Sequence, residues 1–384
     1  IDYLYSVTSV RCLYLTFPTQ SRQNSDHGTL MDGSRKIVLF VAIFFWLLCF
    51  EDETQAQRMK PTALSELVAY SGADRERILV EGARAEGKVV WYTSLAGSSY
   101  RELAQGFEKK YPGVKVDVYR AASNELMARI TAETKARRYL VDTIETTLPL
   151  LKSLREEGLL AVYTSPHLAK YPAHAKESAG KGLYYWGINR ESFIGVGYNP
   201  KLIAPAAVPR NFAGLLNPQL KGKMGLTTSD TGVRMMGAIL KFKGEEFARK
   251  LKAQNIGLHA VSGRAMADMA ISGEVPMSPS IFRDHAMESK GKGAPIDWVP
   301  MEAVPTNAGA TTIVYQAPHP HAAILMADFI LSPEGQKILE NLEFGNPSKD
   351  FGFKRWYPEA GLDTAQYDKE ATAWQKALRE LGRK

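Results

Sequence analysis

Between Lys88 and Gly158 the chain repeats one unit three times: an apolar β-rich run, a short polar loop, then a helical stretch. Lys88-Val-Val-Trp-Tyr-Thr-Ser94 leads through the loop Ser94–Ser99 into a helix from Tyr100 to Lys110, which Pro112-Gly113 stops. Val114-Lys-Val-Asp-Val-Tyr119 alternates as a strand does. Ala122-Ser-Asn-Glu-Leu126 then opens a second helix, with Ser123 or Asn124 as the expected N-cap. Leu140-Val-Asp-Thr-Ile-Glu-Thr-Thr147 is the third strand, and Leu148–Glu157 the third helix, closed by Gly158. Strands separated by helices cannot pair as hairpins; they pair in parallel, with the crossover helices covering the sheet. The unit therefore predicts an α/β fold with a doubly wound, mainly parallel sheet.

Ligands of such sheets lie outside the carboxyl ends of the strands. Those ends here are Thr93 and Ser94, Ser123 and Asn124, and Thr146 and Thr147. Any one of them could simply be a cap or turn residue. That all three positions carry short hydroxyl or amide groups points to hydrogen bonding of a small polar solute. Glu145 stands unexpectedly in the third strand, and its direction is left open.

The middle of the chain has a different texture. A long strand-like run, Leu183–Tyr198, turns at Asn199-Pro200. Pro209 and Leu220-Lys-Gly-Lys223 follow, and then Leu226-Thr-Thr-Ser-Asp-Thr-Gly-Val233, which reads as a strand end, a small polar loop and a helix start. In the loop that begins at Ser229, Thr231 and Gly232 would offer free backbone N–H groups where the helix dipole favours an anion. Ala303–Tyr315 is the expected return strand. The apolar helix of Pro318–Gln336 follows it, and residues 346–384 form an aromatic-bearing tail, helical toward Trp374–Leu381.

These pieces, in this order, resemble the extracellular (periplasmic) solute-binding proteins of ABC transporters, family 1, and especially their ferric-ion-binding branch. The resemblance rests on Val89-Val-Trp-Tyr-Thr-Ser94, on Ser123-Asn-Glu-Leu-Met-Ala-Arg-Ile-Thr-Ala-Glu133, on Leu220-Lys-Gly-Lys223 leading to Ser229–Gly232, and on Phe329-Ile-Leu-Ser-Pro-Glu-Gly-Gln336. It implies a two-lobed type 2 periplasmic-binding-protein fold, each lobe a doubly wound, mainly parallel sheet, the lobes joined by two crossing strands. The implied boundaries are 57–195 with 305–384 for the first lobe and 196–304 for the second. The hinge is expected near Phe193–Tyr198 and Pro305–Ile313.

Ferric-binding members of that family carry adjacent tyrosines where this chain reads Ser280-Ile-Phe-Arg-Asp-His285. Phe282 and Arg283 supply no phenolate, and a fixed guanidinium beside a cation adds repulsion. Arg283 suits instead a carboxylate, phosphate or phosphonate. Tyr185 or Trp186 would wall the site, and Asp230 could take an ammonium group. His285, His319 and His321 have no spacing that ties them to one metal and read as surface or loop histidines. The expected ligand is a small anionic or zwitterionic organic solute, held without metal or cofactor. The alternatives are ferric iron and a sensor that docks on a receptor.

The 384 residues carry a formal charge of +7, but Lys and Arg are scattered among Glu and Asp, which argues against a nucleic-acid partner. Met31-Asp-Gly-Ser-Arg-Lys36 precedes the apolar run Ile37–Phe50 and a polar stretch to Ala56, the pattern of a cleavable secretory leader. Translation is expected to start at Met31, with residues 1–30 an upstream extension and 1–56 removed. The two cysteines, Cys12 and Cys49, fall within that part, so the exported chain would hold neither disulfide nor thiolate chemistry. The expected setting is the periplasm, and the expected partner of the monomer is an inner-membrane ABC permease. The chain has no Gly-x-Ser-x-Gly, no His-Glu-x-x-His and no phosphate-cradling loop, which leaves an enzyme reading without a nucleophile or metal.

Overall fold

The computed structural model describes residues 63–382, Ala96 excepted. The expected leader and both cysteines lie outside the described residues.

Strands β1 (Lys88–Thr93), β2 (Lys115–Arg120) and β3 (Thr143–Thr147) pair in parallel, with β1 in the middle. Helices α1 (Arg75–Glu86), α2 (Ser99–Lys110), α3 (Ser123–Lys135) and α4 (Leu148–Glu156) precede or connect them. Val89, Trp91 and Tyr92 of β1 are all buried, as a parallel strand covered on both faces requires. Beyond β3 come β10 (Val304–Ile313), then β5 (Leu183–Tyr198), then β4 (Lys176–Gly180). β10 runs antiparallel to both β3 and β5, so β5 is again parallel to the first three.

The second sheet repeats this order. β6 (Gly225–Thr227) and β7 (Gly257–His259) are parallel, and a parallel bridge between Met224 and Met277 joins them to β8 (Met277–Phe282). β8 and β9 (Asp297–Val299) both pair antiparallel with β5. Each sheet thus has three parallel strands, one antiparallel crossing strand and a fifth strand parallel to the first three.

β5 serves both sheets. Through Phe193 it pairs with β10, and from Ile194 onward with β8 and β9. Its 16 residues span roughly 50 Å at about 3.3 Å per residue, long enough to cross from one lobe to the other.

Helices cover both faces of both sheets. Leu79, Phe107 and Phe329 pack on one face of the first sheet, and Leu126, Leu151 and Leu154 on the other. Phe329 belongs to α8 (Pro320–Leu331), which is buried from His321 onward and correspondingly apolar except for His321 and Asp328, each paired. In the second lobe, α5 (Asp230–Lys250) lies on one face, and α6 (Gly263–Ser272) and α7 (Arg283–Gly291) on the other. α5 kinks at Gly244, whose φ of 79° only glycine adopts readily.

Two expectations need correction. The N-cap of α3 is Ala122, with Ser123 and Asn124 already inside the helix. α10 (Thr364–Leu381), expected with the first lobe, packs Tyr367, Trp374 and Leu378 into the core of the second. It reaches there by β11 (Arg355–Trp356), which pairs with β10, so the tail makes a third passage between the lobes.

Candidate functional site

The site end of the first sheet has an ion pair for its floor. Glu145 of β3 is fully buried and accepts from the Nε of Arg190 on β5 at 2.9 Å and from the Thr93 hydroxyl at 2.7 Å. The Nη2 of Arg190 donates to the Ser94 hydroxyl at 3.3 Å. A bulge sets this up: Gly309 of β10 faces Arg190 while Ala310 faces Ile188, leaving Asn189 as the extra residue on β5. Gly309 has to be glycine. A Cβ there would lie 2.6 Å from both the Arg190 Cζ and a Glu145 oxygen.

Beside the floor, the Ser123 hydroxyl accepts from Thr146 at 3.0 Å and from Thr147 at 3.1 Å, which brings the starts of α3 and α4 together. Thr93 and Thr146 are fully buried, whereas Asn124 is exposed.

The second lobe builds its side from closely packed backbone. Ser229 is the N-cap of α5, and its hydroxyl accepts from Thr227 at 2.9 Å; the Gly232 N–H, expected to be free, donates instead to the Ser229 carbonyl at 3.0 Å, because the turn into the helix closes on its own backbone. Thr231 is buried, and a Cβ on Gly232 would lie 1.8 Å from the Thr227 carbonyl oxygen. A Cβ on Gly263 would lie 3.0 Å from the Thr231 hydroxyl and 3.3 Å from the Phe282 ring. The starts of α5, α6 and α7 therefore converge.

Their amides differ in what they face. No side chain caps α2, α3, α4, α5 or α7. By contrast Ser262 caps α6, Glu86 accepts from the first-turn amides of α8, and Ser332 caps α9 (Pro333–Asn341). The starts of α3, α4, α5 and α7, each at the carboxyl end of a strand or its loop, thus keep first-turn N–H groups that no N-cap side chain accepts.

Of the expected site residues, Tyr185 lies elsewhere and Arg283 is already engaged. Tyr185 lies near the start of β5, five residues before Arg190 and so roughly 16 Å from the floor at about 3.3 Å per residue. Its ring packs under Arg155, near the far end of α4, so it cannot wall this site. Strand alternation gives a side chain's face but not its distance along the strand. Arg283 opens α7, and its guanidinium is held by the carbonyl of Glu343 at 3.1 Å and its carboxylate at 3.2 Å, rather than by Asp284 or Glu288. Its neighbour Asp284 is buried with Oδ1 unpartnered; burial pushes its carboxyl above the usual range, against the pull of His285 and Arg190.

Asp230 pairs with Arg234 at 2.7 Å, and Arg234 also donates to the buried Glu359 at 3.0 Å. Lys152 of α4 donates to the Glu359 carbonyl at 2.9 Å. The tail therefore clamps α4 of the first lobe to α5 of the second. Glu191, next to Arg190, is likewise buried and bonded to Arg355 and Tyr357 of the tail. The histidines are not loose surface groups: His319 meets Asp142 at 2.8 Å and His321 meets Glu86 at 2.7 Å, each within its own pair. Among the described residues, no three His, Cys, Asp or Glu side chains come together as a metal site.

A family profile described as bacterial extracellular solute-binding protein matches residues 146–364. The chain belongs to that family. A Haemophilus influenzae protein, described as uncharacterized, is 26% identical over 267 residues, covering 67% of this chain and 76% of its own length. The solved structure of iron-bound HitA from Pseudomonas aeruginosa matches with a TM-score of 0.60 at 24% identity, over 77% of this chain and 99% of that one. AfuA from Actinobacillus pleuropneumoniae, with fructose-6-phosphate bound, matches at 0.60 and 22% identity, over 77% and 99%. These likenesses show the fold: two-lobed, mainly parallel α/β.

Proposed function

We propose that this solute-binding protein is the capture component of an ABC importer. It takes a small anionic or zwitterionic organic solute between its lobes and presents the closed form to an inner-membrane permease. The observation that carries the ligand class is the set of four helix starts without an N-cap side-chain acceptor, those of α3, α4, α5 and α7, gathered at the carboxyl ends of the strands. Dipoles and free amides at such ends favour negative charge. Ser94, Ser123, Asn124, Thr147, Ser229 and Thr231 supply the neutral hydrogen bonds, Gly232 lets the start of α5 pack close, and Thr93 and Thr146 brace the cluster from behind. Arg283 completes the site by exchanging Glu343 for the solute's anionic group, a charge-assisted bond replacing another. Closure bends β5 and β10 between the lobes and shifts the population toward the form the permease recognises. Export by the leader places this cycle in the periplasm, and the protein acts as a monomer without catalysing a reaction.

A second reading, ferric iron as the cargo, is favoured by the iron-bound relative. A thermal-shift panel of phosphonates, carboxylates, amino acids and Fe³⁺ separates the two. An organic anion should raise the melting temperature most; stabilisation by Fe³⁺ alone overturns the proposed class. In the same assay Arg283→Ala should weaken the selected anion by about 1.5–3 kcal/mol.

A further inference from the structure

At the end of the first sheet remote from the site, the loop between α3 and β3 stands over a cavity of about 240 Å³. Ile130, Val141, Leu159 and Val314 line it. Tyr139, Leu140 and Tyr315 stand at its rim at 37%, 38% and 62% exposure. These are three of the four large hydrophobic side chains found exposed among the described residues, the other being Leu202. Large apolar groups gathered in the open, rather than scattered singly, mark binding surfaces.

The same loop carries a charge pattern. Lys135, Arg137 and Arg138 form no ion pair among the described residues. Glu133 also lines the cavity; its Oε1 accepts from Arg129 at 2.7 Å and from the Tyr92 hydroxyl at 2.7 Å, its Oε2 is buried without a partner, and the Arg129 guanidinium offsets its charge. Arg137 sits at φ 54°, the left-handed region that favours glycine, and the chain turns there into the rim residues. Arg138 itself lines the cavity. An apolar chamber with an unpaired guanidinium at its edge is complementary to one kind of molecule.

We propose that this cavity is a second binding site, independent of the interlobe reading, for a small anionic amphiphile: a short alkyl chain or single ring ending in a carboxylate. The apolar body would fill the chamber, and the carboxylate would meet Arg138 in bidentate geometry. The volume fits such a body, since a cavity of about 150 Å³ already takes a benzene ring. A flat lipid surface would need only the protruding rings and the basic residues. The chamber behind them is what favours a single small molecule.

Isothermal titration of the full chain with octanoate, octan-1-ol and inorganic phosphate tests this, alongside the variants Arg138→Gln and Leu159→Trp. Octanoate should bind about tenfold more tightly than octan-1-ol, the ratio expected of one charge-assisted bond. Arg138→Gln, an exposed substitution, should erase that preference, and Leu159→Trp should abolish both by filling the chamber while leaving any phosphate heat unchanged. Octanoate binding unaltered in both variants would overturn the proposal. So would no octanoate binding, or binding confined to phosphatidylglycerol vesicles, which would assign the patch to a membrane surface.

Discussion

The two lobes share a strand order but build their sides of the candidate site by different means. The first uses side chains: a buried Glu145–Arg190 pair, with Thr93, Ser94 and the Ser123–Thr146–Thr147 cluster arranged around it. The second uses backbone: helix starts drawn together so tightly that Gly232 and Gly263 leave little or no room for a methyl group. One surface is therefore fixed electrostatically and the other sterically. A strand topology dictates where a site lies, and leaves open which chemistry fills it.

Substitutions can break that contrast. The largest effect should come from Glu145→Ala, which leaves Arg190 buried without its counter-ion; urea unfolding should show a loss of about 3–5 kcal/mol. A loss below about 1 kcal/mol would mean that Arg190 relaxes to solvent and the floor is not held by charge. Gly232→Ala should follow, at about 3 kcal/mol, because the clash is with backbone that cannot yield as a side chain would. Ser262→Ala removes the one side-chain cap among the three converging starts of the second lobe and should lower stability by about 1 kcal/mol.

The smallest effect is a pH dependence. Burial raises the Asp284 carboxyl in the folded state from its ordinary 3.8, so the native protein holds that proton more tightly than the unfolded chain does. Stability of the parent relative to Asp284→Asn should therefore fall as pH rises above 3.8. Parallel curves for the two proteins would show that Asp284 is not desolvated where it faces Arg190.

Much of the first lobe could be read directly from residue patterns, because its signals are local. β-rich runs, polar loops and helix stops between Lys88 and Gly158 gave β1 to α4 in order, and the long run at Leu183 gave the crossing strand. The errors arose where a long-range partner decides. Tyr185 has the right chemistry for a site, but its register against β10 puts it at the wrong end of β5. Arg190 and Glu191, two charges in the middle of a long strand with apolar ends, are a local signal of buried charge, but their partners Glu145 and Arg355 lie far off in the chain. Arg283 could be singled out as a guanidinium near the site, but its partner Glu343 lies 60 residues away in the chain. The apolar face of α10 does not say which lobe it covers; the tie of Glu359 to the buried Arg234 of α5 is what holds the tail on the second.

Solute capture by closure is best tested by small-angle X-ray scattering of the exported chain, with and without the anion that stabilises it most. The radius of gyration should fall at saturation as the lobes close over the solute. An unchanged radius with the solute bound would contradict capture by hinge closure.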